Sequence, residues 1–276
     1  MQKQTTLAAE VSCTGIGLHA GREVRMKLKP APENTGIVFV RTDLPDRPRI
    51  HATASNVTST LRATTLEEQG VKVFTIEHLM SALHAFRIDN CLIEMDSEEP
   101  PVADGSANDF YRLLCRTGAA ELDAERREIV IDRVYRKDDE GTGHFVMAVP
   151  YDGFRVTFTS VNPHPMIGIQ YQDFLVEPET YEKEIAPART IAYEKEIQAL
   201  YDMGLGLGGT LENVIVYNDE GWLNPLKFSD ELVRHKILDV IGDMRLAGIL
   251  RGHIIAVASG HALNTALAKE ISASLA

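Results

Sequence analysis

The sequence predicts an α+β fold of two similar halves, each a sheet with helices packed on one face. Three observations carry that prediction. The chain opens with short alternating segments separated by Pro-rich turns, the pattern of an antiparallel meander. Two amphipathic helical stretches, TIEHLMSAL from Thr75 and LVRHKILDV from Leu232, echo each other, each with a histidine placed early. Each leads to an apolar strand (CLIEM; IIAVAS), a small-residue turn and a terminal helix. Strands and helices grouped in this way belong to α+β architecture.

Taken in order, strands are expected at Val24–Lys29, Gly36–Arg41 and Arg49–Ala54, with turns at Pro30–Pro32 and Pro45–Pro48. A Thr-rich stretch, Ser59–Thr65, precedes a helix over Thr75–Ala85 with Thr75 as its cap. A strand at Cys91–Met95 and a helix from about Ser106 to Cys115 complete the first half. The charged run Glu121–Glu128 reads as a linker, dividing the chain into domains of residues 1–124 and 125–276. The second half repeats the plan, with strands at Ile129–Tyr135, Phe145–Val149 and Val156–Thr159, a helix at Val233–Met244, a strand at Ile254–Ser259 and a helix from about Leu263. It also carries an inserted segment, about residues 182–218, with a helix at Ala192–Met203, the glycine cluster GLGLGGT and a strand at Asn213–Tyr217. That cluster follows no strand and lacks a Gly-Lys-Ser/Thr ending, so it reads as a turn with close backbone approach and not as a phosphate loop.

At 276 residues the chain can bury a sizeable core. Its 44% hydrophobic and 25% charged content is that of a soluble globular protein. No apolar run approaches the roughly 20 residues of a membrane span, and no signal peptide is visible, so no transmembrane anchor is expected. Cys13, Cys91 and Cys115 form no C-x-x-C pair and read as reduced cytosolic thiols. A net charge of −12 argues against a nucleic-acid partner, although one local patch could still hold a phosphate.

Chemistry concentrates on the helices. His235 and Asp239 stand one turn apart on one helix face and can meet at one metal ion, although a solvated polar face would read the same way. A catalytic zinc keeps three protein ligands and an open position for water. The echo helix offers His78 beside Glu77; one could bind metal while the other addresses the attacking water, for which a carboxylate base is suited, although an isolated pair reads more simply as an exposed Glu beside a core His. His261 lies in a turn among small residues, accessible as a proton donor or an anion-stabilising cation, and Asp243 could hold it protonated and oriented, although taken alone it reads as a histidine near a helix cap. His51, His84, His144 and His253 show no partner pattern and read as surface or packing residues.

The blocks GIGLHAG, TIEHLMSALHAFRIDN, PPVADGSANDF, APART, GLGGT, LVRHKILDVIGD and SGHALN occur in this order along nearly the whole chain. Together they resemble the signature blocks of the UDP-3-O-acyl-N-acetylglucosamine deacetylases, zinc hydrolases of the committed step of lipid A biosynthesis. The resemblance implies two α+β domains packed face to face, with Zn2+ between them held by His78, His235 and Asp239. It implies Glu77 as general base and His261 as proton donor, oriented by Asp243. Thr190 would hydrogen-bond the oxyanion and Lys236 would contact the substrate carbonyl or its diphosphate side. Leu18 and His19 would line the substrate entrance, and Ile191 and the segment after it an apolar passage for the acyl chain. The partner implied is a UDP-linked acylated glucosamine, met by a monomer in the cytoplasm with transient contact at the inner membrane face. The chain departs from the family pattern at Ile191, usually Phe, at Ser160–Pro165, which lacks the usual aromatic before an H-P pair, and at Val257-Ala258, where many members carry a basic residue. Arg251 could compensate, although the sequence does not place it. Since the departures cluster at the nucleotide side, a deacetylase of another N-acetylated sugar is the alternative, followed by a non-catalytic relative that binds sugar nucleotides.

Overall fold

The computed structural model describes residues 2–274, so the outer ends of both expected domains lie outside the described residues. In the first half the strands are β1 (Lys3–Leu7), β2 (Val11–Ile16), β3 (Glu23–Pro30), β4 (Ile37–Arg41), β5 (Arg49–His51), β6 (Val57–Ser59), β7 (Thr65–Glu68) and β8 (Val71–Phe74). Helix α1 (Glu77–Ala85), β9 (Cys91–Met95), α2 (Asn108–Thr117) and β10 (Ala119–Glu125) follow. The second half runs through β11 (Glu128–Val130), β12 (Tyr135–Asp139), β13 (His144–Val149), β14 (Phe154–Val161) and β15 (Ile169–Leu175). A short α3 (Pro178–Thr180) leads to β16 (Ile191–Tyr193), α4 (Glu194–Asp202) and β17 (Ile215–Tyr217). Helix α5 (Glu231–Met244), β18 (Ile249–Val257) and α6 (His261–Ala273) close the chain.

The two larger sheets share one plan. Strand order β2-β3-β9-β4-β5 in the first corresponds to β12-β13-β18-β14-β15 in the second. In each sheet only one of these pairs is parallel, β4 with β9 and β14 with β18. Helices α1 and α5 therefore occupy equivalent stations, each leading into the strand at the centre of its sheet. Along β14, Phe154, Val156 and Phe158 turn to the buried side while their neighbours stay half-exposed, the alternation of a sheet covered on one face.

Helix α1, EHLMSALHA, contains no glycine, proline or β-branched residue, and every one of its residues is buried. It packs on α2 and on α5, while α6 packs on α5 and β12. One apolar core crosses the seam, joining Leu79 and Leu83 of α1 to Ile237 and Ile241 of α5 and to both sheets. Full burial of each such side chain contributes about 1.5–3 kcal/mol, which holds the two helices in a fixed relation. The crossing is close because of Gly242: a Cβ there would lie 2.0 Å from the Glu77 carbonyl oxygen.

Several local expectations differ from the structure. The run read as a linker is largely strand: β10 pairs antiparallel with β1, so residues through Glu125 stay with the first half. The strand expected over Ile129–Tyr135 is two, β11 beside β18 and β12 beside β13. Thr75 does not cap α1; Ile76 is the cap, and the Thr75 hydroxyl donates instead to Glu99 Oε1 at 2.6 Å. Helix α6 begins at His261, two residues earlier than expected. The inserted segment is a small parallel unit, with α4 connecting β16 to its partner β17. Cys13, Cys91 and Cys115 are all free. Among the described residues, no helix is long and apolar enough to cross a membrane.

Candidate active site

Buried polar side chains mostly find their partners within the protein, and two buried helices bring theirs together. Helix α1 brings Glu77 and His78 to the seam, and α5 brings His235, Asp239 and Asp243. One ligand atom from each of His78, His235 and Asp239 lies within 4.8 Å of the others. His235 Nε2 is 3.4 Å and His78 Nε2 is 3.8 Å from the same oxygen, Asp239 Oδ1. Ligand atoms about 2.0–2.1 Å from a tetrahedral ion stand roughly 3.4 Å apart, so this donor set fits a metal with little adjustment.

The surroundings keep these groups in ligating form. His235 Nδ1 lies 3.0 Å from the Ala188 carbonyl, to which it donates, leaving the Nε2 lone pair for an ion. Burial, reinforced by the neighbouring His235, pushes His78 down to about 3, so its ring is neutral. Asp239 Oδ2 accepts from Lys236 Nζ at 2.7 Å, leaving Oδ1 toward the histidines. Burial opposes the charge of Asp239, but His235 and Lys236 override it and hold the carboxyl well below the usual range.

Beside this cluster stand a carboxylate and an imidazole of opposite tendency. Burial raises Glu77 to about 7, with His261 pulling it down and Asp243 and Asp239 pushing it up. His261 is opposed by burial, yet Asp243 and Glu77 raise it to about 10. The Asp243 carboxylate is fully enclosed: it accepts from Thr64 Oγ1 at 2.6 Å, Asn264 Nδ2 at 2.9 Å and His261 Nδ1 at 2.9 Å. Thr64 also donates its N–H to Glu77 Oε2 at 3.2 Å, linking the two carboxylates.

All the residues expected at the site except Asp243 line one cavity of about 400 Å³: Leu18, His19, Glu77, His78, Thr190, Ile191, His235, Lys236, Asp239 and His261. Asp243 lies behind His261. The cavity extends from the polar cluster into an apolar arm between α4, β17 and the loop at Leu18, with Ile197, Val214 and Val216 in its wall. Thr190 is placed by its backbone, its N–H on the Gly105 carbonyl and its carbonyl accepting from Ile215. Arg251 does not reach the cavity; it pairs with Glu128 and Asp152 at the start of β18.

Four supporting residues escaped the sequence reading. Thr64 lay unassigned in the Thr-rich stretch, and Asn264 lay unread within SGHALN. Glu231 accepts from the Arg189 N–H and Nε at 3.0 and 2.9 Å, clamping the APART segment to the first turn of α5. Arg189 belonged to a recognised block, whereas nothing in the sequence marked Glu231.

A buried His-His-Asp group that could hold a metal, a carboxylate with a raised pKa and an imidazole held by a carboxylate, all at one cavity, are the parts a metal-dependent hydrolase needs. The family model described as LpxC, UDP-3-O-acyl N-acetylglycosamine deacetylase, matches residues 4–273. The chain belongs to that family. It is similar to the UDP-3-O-acyl-N-acetylglucosamine deacetylase of Hahella chejuensis, at 44% identity over 98% of this chain and 91% of that protein. Proteins of the same name from Anaeromyxobacter dehalogenans and Mannheimia succiniciproducens are 43% and 42% identical, covering 98% and 99% of this chain and 87% and 91% of those proteins.

Proposed function

We propose that the protein hydrolyses the N-acetyl group of UDP-3-O-acyl-N-acetylglucosamine, giving acetate and a free glucosamine amine, with zinc held by His78, His235 and Asp239. The observation that carries the reading is the facing of Glu77 Oε1 and His261 Nε2 at 3.7 Å beside the ligand set. An acetamide is a poor electrophile and water a poor nucleophile near neutral pH. When bound, zinc supplies Lewis acidity, lowering the pKa of a coordinated water toward about 7 and polarising a carbonyl.

The remaining chemistry falls to side chains. Glu77 accepts the proton of the attacking water at a carboxylate oxygen. Thr190 donates its hydroxyl to the developing oxyanion, and the positive charge of His261 favours the same oxygen. His261 then delivers its Nε2 proton to the departing nitrogen as the C–N bond breaks. Its Nδ1 stays bonded to Asp243, which holds the ring in one orientation. Lys236 keeps Asp239 anionic and faces the substrate carbonyl or diphosphate.

The apolar arm takes the 3-O-acyl chain, past Ile191 and between α4 and β17, with Leu18 and His19 at its mouth. In this reading the first domain, residues 1–124, contributes Glu77 and His78, and the second, residues 125–276, contributes Thr190, His235, Asp239 and His261. Base, acid and ligands all come from one chain, so a monomer in the cytoplasm suffices, meeting its amphiphilic substrate at the inner membrane face.

A deacetylase assay comparing the UDP-linked acyl sugar with simple N-acetylglucosamine derivatives tests the substrate. A large preference for the UDP-linked sugar supports the reading. Equal rates would replace it with a deacetylase of another N-acetylated sugar.

A further inference from the structure

We propose that Glu99 is a positioning residue, its one carboxylate setting both the backbone that launches Glu77 and His78 and the loop that walls the acyl arm. The proposal rests on the deacetylase reading and adds a residue that touches neither substrate nor metal.

Glu99 sits in Ser97-Glu98-Glu99-Pro100-Pro101 and is fully buried. Among the described residues no cation pairs with it, and all its hydrogen bonds come from neutral donors. A buried carboxylate without a counterion is costly to keep, so its partners indicate what it does. Oε1 accepts from the Thr75 hydroxyl at 2.6 Å and the His19 N–H at 2.9 Å. Oε2 accepts from the Ala20 N–H at 2.8 Å and again from His19 at 3.0 Å.

The first arm reaches the catalytic helix. Thr75 has φ +55°, a conformation strained for a β-branched residue and kept only when neighbours enforce it. That turn directs the chain into α1, with Glu77 two residues and His78 three residues farther on. Glu99 is the enforcing neighbour, through the Thr75 hydroxyl.

The second arm reaches the cavity wall. The loop from Gly17 to Ala20 folds so tightly over Glu99 that a Cβ at Gly17 would lie 2.4 Å from Oε2. The loop in turn holds the glycine cluster of the second half. The Leu207 and Gly208 N–H groups donate to the carbonyls of His19 and Leu18 at 3.2 and 2.9 Å, and the Gly206 N–H donates to His19 Nδ1 at 3.2 Å. Leu18, Gly206 and Gly209 all line the cavity.

The experiment compares Glu99→Gln and Glu99→Ala with wild type in the zinc-loaded protein, on UDP-linked substrates with long and short 3-O-acyl chains. Zinc content should stay unchanged, while kcat falls about 10- to 100-fold, the scale expected when reacting groups shift by about 1 Å. KM should rise for the long acyl chain and stay level for the short one. Adding Thr75→Gly to Glu99→Ala should return about fivefold or more in kcat, because glycine holds a positive φ unaided, while KM for the long chain stays high. Hydrogen exchange at the His19 and Ala20 amides should accelerate by about tenfold or more in both Glu99 variants. If Glu99→Ala does not fold, Glu99→Gln, of the same shape, carries the same readings. A kcat within about twofold of wild type in a folded Glu99 variant, or no gain from Thr75→Gly, overturns the proposal. Wild-type protein inactive on the UDP-linked sugar would refute the substrate reading instead. Amide exchange then decides for Glu99: acceleration upholds its hold on the loop, and unchanged exchange ends the proposal.

Discussion

Asp243 Oδ2 lies 2.9 Å from Nδ1 of His261, and the opposite nitrogen of the same ring lies 3.7 Å from Glu77 Oε1. The imidazole is thus gripped on one edge and faces the proposed base with the other. This arrangement separates the two proton affinities, with Glu77 raised to about 7 and His261 to about 10. Between those values an ionised carboxylate and an imidazolium coexist, the pairing that amide hydrolysis requires.

A bell-shaped profile of kcat/KM against pH is therefore expected. Activity rises as Glu77 loses its proton and falls as His261 loses its own, and the charge of a bound cation moves both limbs to lower pH. Asp243→Asn removes a charge that favours the imidazolium, so the alkaline limb should move to lower pH by about one pH unit. A profile for this variant that overlays wild type would exclude Asp243 from setting the charge of His261.

Purified protein is expected to carry about one equivalent of zinc, measured by elemental analysis. Alanine at His78, His235 or Asp239 should abolish tight binding. Wild-type protein that takes up no metal from a buffered zinc solution would sink the mechanism.

Glu77→Ala should keep its zinc and its fold yet lose about 100- to 10,000-fold in kcat, since the proposed mechanism uses Glu77 to move a proton and not as a ligand. Near-normal turnover in single-turnover assays would remove the base from this residue.

The sequence made the centre of the site legible because its chemistry sits on helices whose periodicity can be read directly. TIEHLMSAL and LVRHKILDV each fix side-chain directions over a few residues, so His78, His235, Asp239 and Asp243 could be placed on faces before any contact was known. The supporting residues were hidden because their partners are distant in sequence. Thr64 reaches Asp243 across 179 positions, and no local pattern announces such a bond. The missed strands have the same cause. β10, AAELDAE, is exposed or half-exposed throughout and is a strand through its pairing with β1, since β preference depends on neighbours more than on the residues themselves. β15 is an edge strand of mixed polarity, and the reading passed over it.

Gly242→Ala tests the helix crossing. The added methyl would meet the Glu77 carbonyl oxygen, forcing α1 and α5 apart at a cost of about 1–3 kcal/mol in chemical denaturation. Because Glu77 belongs to that contact, kcat should fall as well. A variant with wild-type stability and rate would show that the seam yields freely there.

Occluding the apolar arm gives an independent check on substrate orientation. Ile197→Trp fills the wall contributed by α4, so KM for a long 3-O-acyl chain should rise about tenfold or more while a short-chain analogue is unaffected. Equal effects on both substrates would place the acyl chain elsewhere.

The matching strand orders of the two sheets put α1 and α5 at equivalent stations, and the proposed ligand set draws one donor from α1 and two from α5. An ion at that position would be a clasp as well as a reagent. A substitution that pries the helices apart should therefore weaken metal binding before it unfolds the chain. Chelation should lower resistance to denaturant without parting the halves, because the apolar core across the seam still joins them.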